Sequence, residues 1–259
     1  MTRSGGSLRF PGERFVSQAA FDAFRQVDQD LLDSRYAYEQ DATQPELSPH
    51  LGTCGPCLAP TRFETAGHPP AWRDGQVCAC PDRLGHRARA LLHLLESEAG
   101  LDAWSRIMLL GAHCPIDARL AIGRPAPERH ARLSALPHGL ALEARDRGFT
   151  HVLAWDYLQR VPLLDLLLRE VRRVLAPGGV FVFTLPFHYR AGVTVSRLDQ
   201  IPRRSGILPA EFGGDVHDIG WDILDRLHQA GFARARAHHY WSRELGYLGA
   251  FNFLFTAEA

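Results

Sequence analysis

The chain has 259 residues, of which 46% are hydrophobic, which is enough for one full α/β domain and a smaller accessory segment. Its 29 basic and 29 acidic side chains give a formal net charge of zero, so no overall positive field indicates a nucleic acid or an anionic membrane as a partner. No apolar run approaches the roughly 20 residues that a membrane-spanning helix needs. The segment Met1 to Pro11 is polar and glycine-rich. We therefore expect a cytoplasmic protein that binds neither nucleic acid nor membrane.

The first third of the chain predicts two helices around a segment with little core. Residues 13–40 carry apolar side chains at helical spacing. Residues 41–85 are rich in Pro, Gly and Cys and cannot bury much apolar surface, so something else must hold them. Residues 86–99 (HRARALLHLLESEA) predict an amphipathic helix.

The rest of the chain alternates short apolar strands with helices, which predicts an α/β layered fold. Strands are predicted at Ile107 to Gly111, Ala118 to Gly123, His151 to Trp155, Val180 to Leu185, Ala233 to Trp241 and Ala250 to Ala257. Helices are predicted at Leu163 to Leu175, which Pro177-Gly178-Gly179 ends, and at Asp222 to Gln229. Residues 186–217 read as an irregular insertion.

Four of the five cysteines are clustered in the sequence. Cys54 and Cys57 form one pair, and Cys78 and Cys80 form a second, tighter pair. Two such turns supply four sulfurs, which suits a tetrahedral structural zinc, with His68 and His86 as reserve ligands. The alternative is four free cysteines in a loop. The fifth cysteine, Cys114, is expected to be an ordinary thiol.

The distal half carries a more specific pattern. The stretch FTHVLAWDYLQRVP begins at Phe149, LLREVRRVLAPGGVFVFTLPF ends at Phe187, and DILDRLHQAGF covers Asp222 to Phe232. This ordered set resembles the second half of class I S-adenosylmethionine-dependent methyltransferases. The segment Cys78 to Leu92 is similar to the start of a bacterial subgroup with a cysteine-rich zinc module.

The resemblance implies a Rossmann-like class I methyltransferase-type sheet that is truncated in its first half, with a small N-terminal zinc-binding module. The expected organisation is a helical lead at 1–50, the zinc module at 51–85 and a methyltransferase-like domain at 86–259. Within that domain, residues 186–217 are expected to cap the substrate.

The proximal half departs from the family pattern. The family binds its cofactor with a glycine-rich turn after the first strand, a carboxylate that ends the second strand and a polar residue near the adenine. Here only Gly111 matches that turn, and Glu128 is the nearest carboxylate. Six residues separate Gly111 from Ala118, too few for a parallel crossover, so either the first helix has been deleted or the second strand lies elsewhere. The candidate cofactor-binding residues are Gly111, Ala112, His113, Gly123, Trp155 and Asp156.

A ligand site should lie at the carboxyl ends of the strands and under the insertion. There His188, Tyr189, Asp215 and His217 are the acid/base candidates, each with the alternative of being an ordinary loop side chain. Two functions remain open. One is a small-molecule methyltransferase with a degenerate S-adenosylmethionine site. The other is a non-methylating pseudoenzyme, a subunit for a partner protein, or a fold reused for other chemistry.

Overall fold

The computed structural model describes residues 8–42, 50–65, 76–130, 133–136, 139–203, 209–249 and 251–259. Contacts divide the chain into two compact units. Unit 1 takes in Met1–Glu13, Phe21–Asp102 and His239–Asn252, and unit 2 takes in Arg14–Ala20, Ala103–His238 and Phe253–Ala259. No helix in the described ranges is long and apolar enough to cross a lipid bilayer.

The chain begins with three short elements where the sequence predicted one helix over 13–40. They are β1 (Glu13–Phe15), α1 (Gln18–Val27) and α2 (Gln29–Ala42). Asp28 separates the two helices, and an aspartate immediately before a helix is favoured because its side chain can accept from free backbone amides of the first turn. The single-helix prediction was therefore wrong at Asp28 and at the N-terminal strand.

The cysteine-rich part of unit 1 is a small antiparallel sheet. Strands β2 (His50–Cys54) and β3 (Ala59–Thr65) form a hairpin, and β4 (Gln76–Cys78) pairs with the other edge of β3. Helix α3 (His86–Ser97) follows, and it confirms the helix predicted over 86–99. The sheet is too small for a core of its own, since its buried apolar cluster is Cys54, Phe63 and Cys78.

Unit 2 is built on a seven-stranded sheet. Its principal strands are β5 (Ile107–Leu110), β6 (Glu128–His130), β9 (Phe149–Ala154), β10 (Leu175–Phe183), β13 (Arg234–His239) and β14 (Phe253–Glu258). Their order is β1-β13-β14-β10-β9-β5-β6. Strand β5 runs parallel to β6 and β9, β9 runs parallel to β10, and β14 is antiparallel to β10. This mixed, Rossmann-like sheet confirms the predicted methyltransferase-type fold class.

The second strand lies elsewhere than the sequence predicted. Residues 118–123 form no strand: α4 (Asp117–Leu120) is a single helical turn, and a turn follows it. The strand that pairs with β5 is β6, so the crossover takes residues 111–127 and has the length that a parallel connection needs. Ala, Arg and Leu in α4 favour helix, which explains the error.

Strand β6 lies at the edge of the sheet, and the next two strands do not join it. β7 (Leu133–Leu136) and β8 (Gly139–Leu142) form a separate hairpin. Helix α5 (Leu164–Val174) supports this hairpin, because the Glu170 carboxylate accepts from the Leu142 amide at 2.9 Å and Arg173 donates to the Leu142 carbonyl at 3.0 Å.

The distal elements lie close to their predicted positions. Helix α5 (Leu164–Val174) precedes β10, α6 (Asp222–Gln229) precedes β13, and β14 closes the sheet. The insertion contains a two-stranded sheet, β11 (Val195–Ser196) with β12 (His217–Asp218), and 3-10 turns occur at Leu158–Arg160 and Leu198–Gln200. The core of the sheet includes stacked phenylalanines, with the rings of Phe183 and Phe255 5.0 Å apart.

Buried His238 makes the stability of unit 2 depend on pH. Its Nε2 lies 2.8 Å from Thr256 Oγ1, and burial lowers its pKa to about 3. In the unfolded chain a histidine has a pKa of about 6.5. Between these values the unfolded chain binds a proton that the native state does not, so the free energy of unfolding falls as the pH decreases from about 6.5 towards 3.

We expect His238→Gln to reduce that slope by up to about 1.4 kcal/mol per pH unit. Urea unfolding of both proteins at several pH values between about 7.5 and 5 measures the slope. Equal slopes for the variant and the parent would show that His238 does not carry the effect.

Candidate functional site

The two parallel strands β5 and β9 end side by side, with Leu110 opposite Ala154. The chain leaves β5 towards β6 on one side, and β9 lies on the other side, so this is the point where the strand order reverses. Ligands in open α/β sheets bind in the crevice at such a point. Gly111 follows β5 and Trp155-Asp156 follow β9, so three of the predicted cofactor-binding residues lie here.

The ring of Tyr157 lies directly against Gly111. Gly111 has a φ of +84°, and a Cβ added there would lie 2.8 Å from Cδ2 of Tyr157. The tyrosine is 4% exposed, and its hydroxyl donates to Glu211 Oε1 at 2.6 Å. Burial and the bond to Glu211 raise the pKa of Tyr157, so it remains a protonated donor. The ring therefore fills the space in front of the one glycine that the cofactor turn retains.

Asp156 is held in an unusual backbone conformation, with a φ of +44°. Its amide donates to Thr184 Oγ1 at 3.0 Å, and its Oδ1 accepts from the same hydroxyl at 3.0 Å. Its carbonyl accepts from Gln159 Nε2 at 2.8 Å. Non-glycine residues with positive φ persist only where the surroundings hold them, which these bonds do.

The four predicted acid/base residues have different surroundings. His188 is exposed, with Nε2 3.8 Å from Asp218 Oδ1, and Asp215 is exposed, with Oδ1 3.8 Å from Arg160 Nε. Tyr189 is half-buried, and its carbonyl accepts from the indole of Trp221 at 2.8 Å. His188, Asp215 and His217 thus have three different polar partners.

His217 is the most constrained of the four. Its Nε2 lies 3.0 Å from the Val161 carbonyl, which can only accept, so Nε2 carries the proton. Nδ1 then accepts from Ser196 Oγ at 2.7 Å. Burial lowers the pKa of His217. Both ring nitrogens are engaged, so this histidine holds the insertion together.

The remaining predicted cofactor residues do not complete a cradle for S-adenosylmethionine. Ala112 and His113 are exposed. Gly123 follows α4 in an open turn with a φ of +71°, so its prediction as the end of a strand was wrong. Strand β6 ends at His130, while Glu128 starts it opposite Met108, so no carboxylate ends this strand. The residues present therefore do not fit the cofactor.

Sequence reasoning missed Tyr157, Thr184 and Glu211 at this site. Tyr157 follows a predicted residue directly, but nothing in its neighbours indicates that its ring turns back onto Gly111. Glu211 is 54 positions away from it in an irregular insertion. No periodic pattern could have joined the two.

The four predicted metal ligands lie in unit 1 as a second candidate site. The Sγ atoms of Cys54, Cys78 and Cys80 lie within 4.8 Å of one another, and Cys57 packs against this cluster. Amides of Cys57 and Cys80 donate to the sulfurs of Cys54 and Cys78. A hydrogen bond from Cys54 lowers the pKa of Cys78, and the Arg89 cation lowers it further. His68 lies outside the described residues.

No protein-family model matches the chain, and no curated protein matches it. Solved structures similar to it include an S-adenosylmethionine-dependent methyltransferase from Mesorhizobium loti, at 17% identity and a TM-score of 0.41 over 68% of this chain and 100% of that chain. Another is a methyltransferase complexed with the Haloferax volcanii Trm112 activator, at 13% identity and a TM-score of 0.42 over 67% of this chain and 88% of that chain. The cyclase SpnF is similar at 16% identity and a TM-score of 0.38 over 89% of this chain and 78% of that chain. At these scores, the fold assignment rests on the strand order and directions.

Two glycines allow a test of the contact between Tyr157 and Gly111 in solution. Gly178 also has a positive φ, +73°, but nothing lies within 4 Å of a Cβ added there. Gly178→Ala should therefore cost only the backbone strain, about 1–2 kcal/mol. Gly111→Ala should cost a further 1–3 kcal/mol or so, because its methyl group meets the tyrosine ring.

Urea unfolding measures both costs, and the same two substitutions are then made in a Tyr157→Ala background. There the extra cost at Gly111 should vanish. If Gly111→Ala and Gly178→Ala are equally costly in the parent protein, the ring does not lie on the glycine.

Proposed function

We propose that this chain is a methyltransferase-like protein that does not methylate, and that it acts as a binding subunit for a partner protein or for a ligand other than S-adenosylmethionine. The contact of Tyr157 with Gly111 carries this proposal. A cofactor's amino-acid moiety needs the backbone of the turn after β5 to be open to it. Here a buried aromatic ring lies directly against Gly111, the first residue of that turn, which is itself buried.

Two further features support the proposal. Strand β6 lacks the terminal carboxylate that would accept the ribose hydroxyls. The insertion is also hydrogen-bonded to the loop that follows β9. The Phe212 amide donates to the Arg160 carbonyl at 2.9 Å, and the Val216 amide donates to the Gln159 carbonyl at 2.7 Å. With the Tyr157–Glu211 bond, three hydrogen bonds therefore fix the insertion to the loop after β9, and one of them holds the ring that lies against Gly111.

The alternative is a small-molecule methyltransferase with an unusual cofactor site. The strained backbone at Asp156 favours it, because such strain is concentrated at functional sites. This alternative requires Tyr157 to leave Gly111, which breaks its bond to Glu211. His188, whose ring is exposed, would then be the residue to examine as a proton acceptor.

Isothermal titration calorimetry with S-adenosylmethionine and S-adenosylhomocysteine separates the two functions. We expect the parent protein to bind neither with a Kd below about 1 mM, which corresponds to roughly −4 kcal/mol. Tyr157→Ala, which removes the ring from Gly111, is the matched variant and is titrated with the same two compounds. Saturable binding to the parent protein below that limit would reject the non-methylating function in favour of the alternative.

We further propose that Cys54, Cys57, Cys78 and Cys80 hold a structural zinc ion. Four soft sulfur donors, three of them within 4.8 Å of one another, suit tetrahedral zinc. A structural role follows because protein ligands would fill all four positions and leave none for a substrate. Such an ion would also stabilise a small sheet whose own apolar cluster cannot do so.

Metal analysis of freshly purified protein should find about one equivalent of zinc. Cys78→Ser should lose most of it and lower the melting temperature. Cys114→Ser is the control, because this cysteine is buried in unit 2, outside the cluster. The Cys114→Ser protein should therefore keep its zinc. Less than about half an equivalent in the parent protein would contradict the zinc site.

A further inference from the structure

Arg89 is a cation buried completely beside the cysteine cluster. Its relative exposure is 0%. Its guanidinium donates to four backbone carbonyls: Leu84 at 3.3 Å, Leu245 at 2.6 Å, and Gln76 and Gly246 at 2.9 Å each. Four of its five N–H groups are thereby satisfied. The guanidinium is thus well hydrogen-bonded, but all four of its acceptors are neutral carbonyl groups.

Its neighbouring rings are neutral as well. The guanidinium lies over the rings of Phe63, at 4.3 Å, and Tyr247, at 5.3 Å. Among the described residues, its polar partners are the four carbonyls and no carboxylate. A fully buried charge is costly unless an opposite charge accompanies it, so a source of negative charge beside Arg89 would stabilise it.

The cysteine cluster is a source of negative charge beside it. The Phe63 ring that the guanidinium covers at 4.3 Å packs in one buried cluster with Cys54 and Cys78, and Cys80 packs against that cluster. The Leu84 carbonyl that accepts from Arg89 Nε also accepts from the Cys78 amide, at 3.2 Å. The arginine is therefore attached to the same loop that carries the second cysteine pair. A zinc ion with four thiolates has a net charge of −2, which a buried cation offsets in part.

We propose that Arg89 is the positioning residue of the zinc centre: it compensates the charge of the thiolates and links the centre to the turn at Leu245-Gly246. This inference rests on the proposed zinc site. Both ring nitrogens of His50 and of His93 are in hydrogen bonds, so neither competes as a ligand. His86, the other reserve ligand, is buried, and the described group of converging donor atoms contains only Cys54, Cys78 and Cys80. Loss of the metal would leave Arg89 buried without its counter-charge, so zinc binding and the order of this turn are coupled.

The experiment compares the zinc affinity of the full-length parent protein with that of three variants, by competition with a chelator. Arg89→Gln should bind zinc about 10- to 100-fold more weakly, as expected for loss of a group that supports metal ligands. Arg89→Lys keeps the charge but loses the planar guanidinium, so its zinc affinity should lie between that of the parent protein and that of Arg89→Gln. Arg83→Gln is the matched control. Arg83 donates its amide to the Cys80 carbonyl, but its guanidinium is exposed and pairs with Glu64 at 2.9 Å.

Two readouts separate charge compensation from a structural role. Saturating cobalt should give the same sulfur-to-cobalt absorption in Arg89→Gln as in the parent, because the ligands are unchanged. Hydrogen exchange of the parent protein needs no variant. Removal of zinc should speed the exchange of the Tyr247 amide, which donates to the Ser242 carbonyl.

The outcomes distinguish this inference from the zinc site itself. A parent protein that binds no zinc rejects both. A parent that binds zinc, with Arg89→Gln as tight as Arg83→Gln, rejects the role of Arg89 alone. If Arg89→Gln does not fold, two measurements remain: the zinc affinity of Arg89→Lys relative to that of Arg83→Gln, and the exchange rate of the Tyr247 amide. Equal affinities, together with an exchange rate that zinc removal leaves unchanged, would overturn the proposal.

Discussion

The packing of Tyr157 on Gly111 is the contact on which the proposed function of the larger unit depends. In a sheet of this kind, ligands bind at the carboxyl ends of the strands, where the turn after β5 lies. Gly111 keeps a positive φ, and the aromatic ring occupies the space where a Cβ would lie. The hydroxyl of the ring is bonded to Glu211 of the insertion. Because a fold of this class hosts many functions, this local contact bears on activity in a way that the fold alone does not.

A different constraint governs the smaller unit. A three-stranded sheet with one small apolar cluster buries too little apolar surface to offset the conformational entropy that it loses on folding. Cysteines end β2 and β4, and under the proposed function their bonds to a metal ion would supply the missing stabilisation. If the cysteines hold zinc as proposed, the buried Arg89 offsets part of the charge of their thiolates, and the two features support each other.

Sequence predicted the elements whose apolar patterns are long. Helix α5, strand β9 and the distal half of β10 are buried and were placed within a few residues. Strand β6 was missed because Glu-Arg-His is a polar, three-residue edge strand with no pattern, while Ala-Ile-Gly before it looked apolar. The spacing of the cysteines alone predicted that they lie together, and Cys54, Cys78 and Cys80 do. Tyr157 and Arg89 could not, because their roles depend on partners 54 and 156 residues away.

The strained backbone at Asp156 belongs to the same closed arrangement. A positive φ at a non-glycine residue costs about 1–3 kcal/mol and must be offset locally. Thr184 and Gln159 offset it by bonding to the backbone and carboxylate of Asp156. The conformation turns the chain sharply after β9, and the next side chain, Tyr157, is thereby directed back to the end of β5. In a working cofactor site the same strain would present a side chain to a ligand. Here the residue that follows the strained position packs its ring against a glycine, so under the proposed function the strain serves this contact.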